Sequence, residues 1–198
     1  MSIIKNPLTI IKSESSEDLA KLIDRTITSV TIPEGVQVVG YDAFHGCTSM
    51  TSAVFPSTLY AIRARGFQDC TALTSIELPN GFVELGTQAI YGCTNLSSVK
   101  LPNTVTTIPY ECFMSCGTIG SLEIGTGITS IADRAFRSTR IGVLTIHATT
   151  PPTLGGNNGI DSSNIGYIVI YVPAESVQAY KTANNWSVFA DSIQAIPE

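Results

Sequence analysis

From residue 27 onward the apolar residues return in fixed columns every 23 residues. Segments 27–49, 50–72, 73–95 and 96–118 align without a gap, 119–140 is a fifth copy one residue short, and 141–147 begins a sixth. Position 1 is Ile27, Met50, Leu73, Leu96, Ile119 and Ile141, and position 4 is Val30, Ala53, Ile76, Val99, Leu122 and Leu144. Position 6 is Ile32, Phe55, Leu78, Leu101, Ile124 and Ile146. The alternation at positions 4 and 6 is that of a strand with one buried face. Pro33, Pro56, Pro79 and Pro102 follow at position 7, where the missing N–H predicts the end of each strand. Turn pairs such as Glu34-Gly35 and Asn80-Gly81 come next. A second apolar pair follows at positions 10 and 13, for example Val36/Val39 and Phe82/Leu85. An A-F-x-G-C motif closes the coil, with Phe44, Phe67, Ile90, Phe113 and Phe136 in one column.

A single unit of this kind cannot bury its apolar face, whereas stacked units share a continuous core. The columns therefore predict an α/β repeat solenoid of 23-residue coils carrying one parallel β-sheet, with the array over 27–147. Both ends of such a stack need covers. Residues 1–26 predict an N-terminal strand-helix cap: Leu8–Lys12 as a strand, then a helix N-capped around Ser15-Ser16. Residues 148–198 predict a C-terminal strand-helix cap. Its parts are the loop 155–164, the strand Tyr167–Val172, and a helix over 173–186 with Pro173 at its first position. Val177, Tyr180, Trp186 and Phe189 are expected to plug the last coil.

The unit LTSIELPNGFVELGTQAIYGCTN contains the L-x-x-L-x-L core of leucine-rich repeats, and its I-P turn and A-F-x-G-C ending resemble the BspA-type leucine-rich repeat. The resemblance covers residues 27 to about 147. The stretch from HATTPPTLGG to the end is also similar to the tail that closes such arrays in gut bacterial proteins. The family implies a curved array with strands on one side, and a setting in cell-surface proteins that bind host matrix proteins or other bacteria. Similar short arrays occur in phage tail proteins. Gly125 replaces a proline, Thr139 a cysteine, and Pro109 stands where glycine is usual, so irregularity is expected in the fourth and fifth coils.

Composition narrows the function classes. Hydrophobic residues make up 43% of the 198, enough for a real core, and only 14% are charged. Serine and threonine are abundant instead, at 20 and 23. Eleven Lys and Arg against 16 Asp and Glu, a net charge of −5, argue against binding nucleic-acid phosphates. The longest apolar run, Tyr167–Val172, is far short of the ~20 residues of a membrane-spanning helix, so no membrane insertion is expected. The opening MSIIKNPLTIIKSESSED lacks the basic and apolar regions of a secretory signal. This implies a cell-surface or secreted protein if a signal has been removed, and a virion or cytoplasmic one otherwise.

Catalytic chemistry is hard to find. His45 and His147 are the two histidines, far apart in sequence, and His45 shares its column with Gln68, Tyr91, Met114 and Arg137, which suits solvent. No metalloprotease, hydrolase, P-loop or EF-hand pattern is present. No catalytic residue, metal or cofactor is expected. Cys47, Cys70, Cys93 and Cys116 share one column, joined by Cys112, and read as small buried hydrophobes. Disulfides between coils and a metal site at Cys93, Cys112 and Cys116 are competing readings. Parallel side chains fit the S–S torsion poorly, and the spacing matches no familiar zinc motif. Asn95-Leu96-Ser97 and Asn185-Trp186-Ser187 are formal glycosylation sequons.

The outward strand positions carry more information. Position 3 is serine in five coils, Ser29, Ser52, Ser75, Ser98 and Ser121, and position 2 is mostly threonine. Position 5 runs Thr31, Val54, Glu77, Lys100, Glu123, a cation between two anions on adjacent strands, where each opposite pair contributes about 0.2–1 kcal/mol. These columns predict a rigid polar docking face at Ser52, Thr74, Glu77, Ser98, Lys100 and Glu123. The expected function is a non-enzymatic, adhesin-like module binding a protein or glycoprotein on a host or bacterial surface. The alternative is a structural or receptor-contacting part of a phage or prophage tail, in which case an oligomer is expected.

Overall fold

The computed structural model describes residues 25–156 and 159–198, so the strand and helix expected within residues 1–24 lie outside it. Fourteen strands follow in order: β1 (Ser29–Thr31), β2 (Val38–Val39), β3 (Ser52–Val54), β4 (Ala61–Ile62), β5 (Ser75–Glu77), β6 (Glu84–Leu85), β7 (Ser98–Leu101), β8 (Thr107–Ile108), β9 (Gly117–Ile124), β10 (Ser130–Ile131), β11 (Thr139–Ile146), β12 (Thr153–Leu154), β13 (Val169–Val172) and β14 (Ile193–Ala195). Each of the first five coils contributes a main strand covering positions 3–5, which lengthens to eight residues in β9 as it does in β11 of the sixth coil, and a two-residue strand at positions 12 and 13. Every pairing is parallel. The register keeps repeat positions opposite one another, as in Ser75↔Ser98↔Ser121.

The single sheet expected from the sequence is instead a divided column, and a second column accompanies it. The main column splits into β1-β3 and a six-stranded sheet ordered β14-β13-β11-β9-β7-β5. At the split lie Ala53, the smallest residue of the position-4 column, and Phe55, which is half-buried and packs edge-on against Phe67 with ring centroids 5.6 Å apart. The second column divides into β2-β4-β6 and β8-β10-β12. At the division one rung is removed by a proline. The backbone N–H at position 14 donates to the preceding coil from Arg63 to Val39, from Gly86 to Ile62 and from Ala132 to Ile108. Pro109 has no such donor, and the ladder is interrupted there.

The core is the set of columns read from the sequence. Phe44 and Phe67 stack at 4.9 Å and Phe113 and Phe136 at 5.2 Å, with Ile90 between the two pairs, all buried. Full burial of such a side chain stabilises by about 1.5–3 kcal/mol. The closing turn gets its shape from two left-handed residues per coil. At position 16, Asp42, Arg65, Gln88, Glu111 and Arg134 have φ of 55–59°. At position 20, the glycine column of A-F-x-G-C, Gly46 and Gly92 have φ near 72°. Asp69, Ser115 and Ser138 adopt the same conformation without the glycine, at a cost on the order of 1 kcal/mol each.

Cysteine closes the coil as a donor. The thiols of Cys70, Cys93 and Cys116 donate to the carbonyls of Phe44, Phe67 and Ile90 at 3.1, 3.2 and 3.1 Å. Thr139 keeps the pattern with a hydroxyl, donating to Phe113 O at 2.7 Å and accepting from Cys116 N at 2.9 Å. The cysteine-to-threonine departure therefore leaves the fifth coil regular at this point. The coil path runs past residue 147: Ile160 bridges to Phe136 in the phenylalanine column, and Asn164 Nδ2 donates to Thr139 O at 3.0 Å. All five cysteines are free and buried, which removes the inter-coil disulfides.

At the C-terminus the expected helix over 173–186 is shorter. A 3₁₀ turn at Ala174–Ser176, preceded by Pro173 at the N-cap, leads into helix α1 (Val177–Thr182). The chain then leaves the helix, and left-handed Asn185 (φ 63°) precedes Trp186, which is buried. Trp186 Nε1 donates to Pro152 O at 2.8 Å, Tyr180 Oη donates to Ala148 O at 2.9 Å, and the two rings meet edge-on. Phe189 is buried beside them and Val177 half-buried. The aromatic plug is present, with its polar tips satisfied by the sixth coil.

Candidate functional site

The positions singled out from the sequence fall on the outer face of the main strand column. Parallel register sets Glu77, Lys100, Glu123, Thr145 and Tyr171 side by side across β5, β7, β9, β11 and β13. Ser98 shares β7 with Lys100. Ser52 stands on β3, across the split in the sheet, and Thr74 immediately precedes β5. The structure therefore joins Glu77, Ser98, Lys100 and Glu123 in one hydrogen-bonded sheet and leaves Ser52 on its neighbour.

Lys100 leans toward one of its two acidic neighbours. Its Nζ lies 3.7 Å from Glu123 Oε2, and His147 Nε2 lies 3.1 Å from Glu123 Oε1. Among the described residues Glu77 makes no ion pair. These groups remain between about a third and three-fifths exposed, so their mutual attraction is worth at most about 1 kcal/mol. Sequence reasoning set His147 aside as isolated. The available signal was its place at position 7, where the coils before it carry proline or glycine.

The two hydroxyl columns do different work. At position 2 the hydroxyls hold neighbouring coils: Thr51 Oγ1 donates to Thr28 O, Thr74 Oγ1 to Thr51 O and Ser97 Oγ to Thr74 O, at 3.0–3.2 Å. Thr74 is thus a structural rung. At position 3 the exposed hydroxyls of Ser52, Ser75, Ser98 and Ser121 have no protein partner among the described residues. Each can donate and accept at a fixed point of a rigid sheet.

Other candidate chemistry does not converge. His45 Nε2 sits 3.5 Å from Asp69 Oδ2 on the closing turn, away from the strand face. No group of three or more His, Cys, Asp or Glu among the described residues is arranged to hold a metal ion. Burial pushes the Cys116 thiol up to about 12, and the Cys112 thiol still higher; neither is a ready thiolate. Asn185 of the second sequon is committed to the fold, its Nδ2 donating to Leu154 O at 2.6 Å.

Six copies of the BspA type leucine-rich repeat region match residues 23–143. The chain belongs to that family. No curated protein matches it. Among solved structures it resembles the leucine-rich repeat protein of T. pallidum (TpLRR), at 27% identity and a TM-score of 0.54, over 60% of this chain and 59% of that one. It also resembles the pneumococcal vaccine antigen PcpA, at 14% identity and a TM-score of 0.51, over 87% of this chain and 36% of PcpA. The chain thus spans little more than half of the first and about a third of the second. The leucine-rich repeat is in general a non-enzymatic fold that binds proteins.

Proposed function

We propose that this BspA-type array is an adhesin-like module of a bacterial cell surface, docking a protein or glycoprotein on the outer face of β3, β5, β7 and β9. The observation that carries the reading is the division of labour between the hydroxyl columns. Position 2 is engaged within the fold, while the position-3 serines and Glu77 keep no protein partner among the described residues, beside the exposed Lys100–Glu123 pair. Binding by such a face requires little ordering of side chains. A broad sheet with small hydroxyls and no aromatic platform suits a flat protein surface better than a stacked sugar ring. Family membership supports the adhesive setting, since BspA-type arrays are associated with surface proteins.

The test is capture of a partner from host-cell or bacterial surface extract, followed by affinity measurement on the captured protein. Lys100→Glu places three acids in a row and Ser98→Tyr raises a bulky ring above the sheet, while neither touches the core. Each is expected to weaken binding at least about tenfold. Wild-type affinity in both folded variants would exclude the strand face.

A further inference from the structure

Position 8, just past the strand-ending proline of the first four coils, has one member set apart from the rest. Glu34, Ser57, Asn80, Asn103 and Thr126 share this column. Glu34 Oε1 accepts from Ser57 N at 3.1 Å, and Asn103 Oδ1 accepts from Thr126 N at 2.9 Å. A side chain here can therefore tie its turn to the same turn of the next coil. Asn80 is exposed, and its carboxamide has no partner among the described residues. Neither has the backbone N–H of Gly81, which follows it in the turn closed by Phe82 N donating to Pro79 O at 2.9 Å.

The backbone does not demand glycine at 81. At the same repeat position Gly35 has a φ of 88°, and at Gly127 a Cβ would collide with Asn103 O. Those two turns need glycine. Gly81 has no left-handed φ, and a Cβ added there would meet only Ser57 O at 3.9 Å, an ordinary contact. Thr58 and Thr104 fill the position in the coils on either side. The third coil thus brings together an unengaged carboxamide and an unengaged N–H on the next residue, with no side chain on that residue to obstruct their approach. From this arrangement an asparagine side chain can cyclise onto its own backbone.

We propose that Asn80-Gly81 is a self-modification site, at which Asn80 converts slowly to aspartate and isoaspartate without an enzyme. Gly81 N loses its proton to solvent base and attacks Asn80 Cγ. The new N–C bond closes a cyclic imide as the Cγ–Nδ2 bond breaks, and Nδ2 leaves as ammonia. Water then adds to either imide carbonyl, giving an aspartyl link or an isoaspartyl one in which the backbone runs through the side chain. In sum, the amide and one water become an acid and ammonia. Each product adds a negative charge to a chain already at −5. The isoaspartyl product also lengthens the turn that Thr104 spans, since the Thr104 hydroxyl donates to both Asn80 O, at 3.0 Å, and Phe82 O. Conversion therefore loosens the junction of the third and fourth coils. Asn103, held by Thr126 N and followed by threonine, is the unreactive counterpart one coil away.

The test incubates folded wild type and Gly81→Ala in mildly alkaline buffer at body temperature, beside a synthetic peptide of residues 78–84. Cleavage after Glu77 and Glu84 releases that same segment from the protein, and Asn80 is its one asparagine. Mass spectrometry, with chromatography against aspartyl and isoaspartyl standards, follows the conversion. Asn80 of folded wild type is expected to convert within about tenfold of the peptide's rate and at least about tenfold faster than Asn103. Gly81→Ala should slow the conversion at least about tenfold. Its circular dichroism should match wild type, because the added Cβ has room. Aging should lower the melting midpoint of wild type more than that of Gly81→Ala, which retains the other Asn-Gly pair, Asn158-Gly159. The proposal is overturned if Asn80 stays amidated in the folded chain while the peptide converts, or if Gly81→Ala reacts as fast as wild type. It is also overturned if aging lowers the two midpoints equally although Asn80 has converted in wild type.

Discussion

At the closing turn, the side-chain donors of Cys70, Cys93, Cys116 and Thr139 each bind a carbonyl of a neighbouring coil. On the strand face the hydroxyls of Ser75, Ser98 and Ser121, at the same 23-residue spacing, bind nothing among the described residues. The periodicity is identical and the consequences are opposite. A buried donor must find an acceptor, because leaving it unpaired costs about 1–3 kcal/mol. An exposed hydroxyl has water and carries no such demand. A repeated polar column in a solenoid is therefore a structural ladder where it is buried, and a candidate binding surface where it is exposed without a protein partner.

The comparison breaks first if the closing turn is not the interior it looks to be. Phe113→Ala removes a buried ring stacked on Phe136 and is expected to cost about 3–5 kcal/mol. Coils contact only their neighbours, so the same variant should speed labelling of Cys93 and Cys116. In native wild type, few of the five cysteines should react with a thiol reagent, and all five should react after non-reducing denaturation. A wild-type melting curve, or fewer than five thiols in the denatured chain, contradicts the ladder.

Thr139→Val tests the ladder itself. It strands the buried Phe113 carbonyl and Cys116 amide, at an expected cost of about 1–3 kcal/mol in a denaturant titration. Thr139→Cys, which restores a donor, should cost less.

Acid should act next, through the same turn. Hydrogen bonding and charge from Arg65 lower the Asp42 carboxyl. Burial opposes ionisation of Glu111, but bonds from Gln88, Tyr110 and Arg134 outweigh it and lower that carboxyl too. Both groups therefore bind protons less readily when folded. Their stabilisation is full above the ordinary carboxylate range and is lost as pH falls through it and then through the depressed folded values. The acid unfolding midpoint, followed by circular dichroism, should move to higher pH in Asp42→Asn.

The smallest effects belong to the strand face. Thr74→Val removes one exposed rung and should cost at most about 1 kcal/mol. Ser98→Ala, which removes an unengaged hydroxyl, should stay within about 0.5 kcal/mol. A larger penalty for Ser98→Ala than for Thr74→Val would reverse the assignment of the two columns.

Much of this architecture is readable without coordinates. Columns such as Leu73/Leu96/Ile119 and Phe44/Phe67 repeat too regularly to allow another packing, because each residue meets its own repeat position in the next coil. The sheet splits are less legible. Pro109 is visible in the sequence, but its effect depends on the position-14 N–H being the rung between coils. The partners of Glu123 are less legible still: His147 comes within 3.1 Å of it only because the sixth strand aligns with the fifth.

The amino-acid sequence by itself determined the coil length, the buried columns and the side of the strand that faces out, since these follow from periodicity and hydrophobicity. Tertiary structure decided which polar groups are engaged. Thr74 and Ser75 are adjacent, exposed and equally able to form hydrogen bonds, yet only Thr74 lies where its hydroxyl reaches the carbonyl of Thr51. Hydrogen bonding depends on distances of a few tenths of an ångström between coils, and those distances exist only once the coils are stacked.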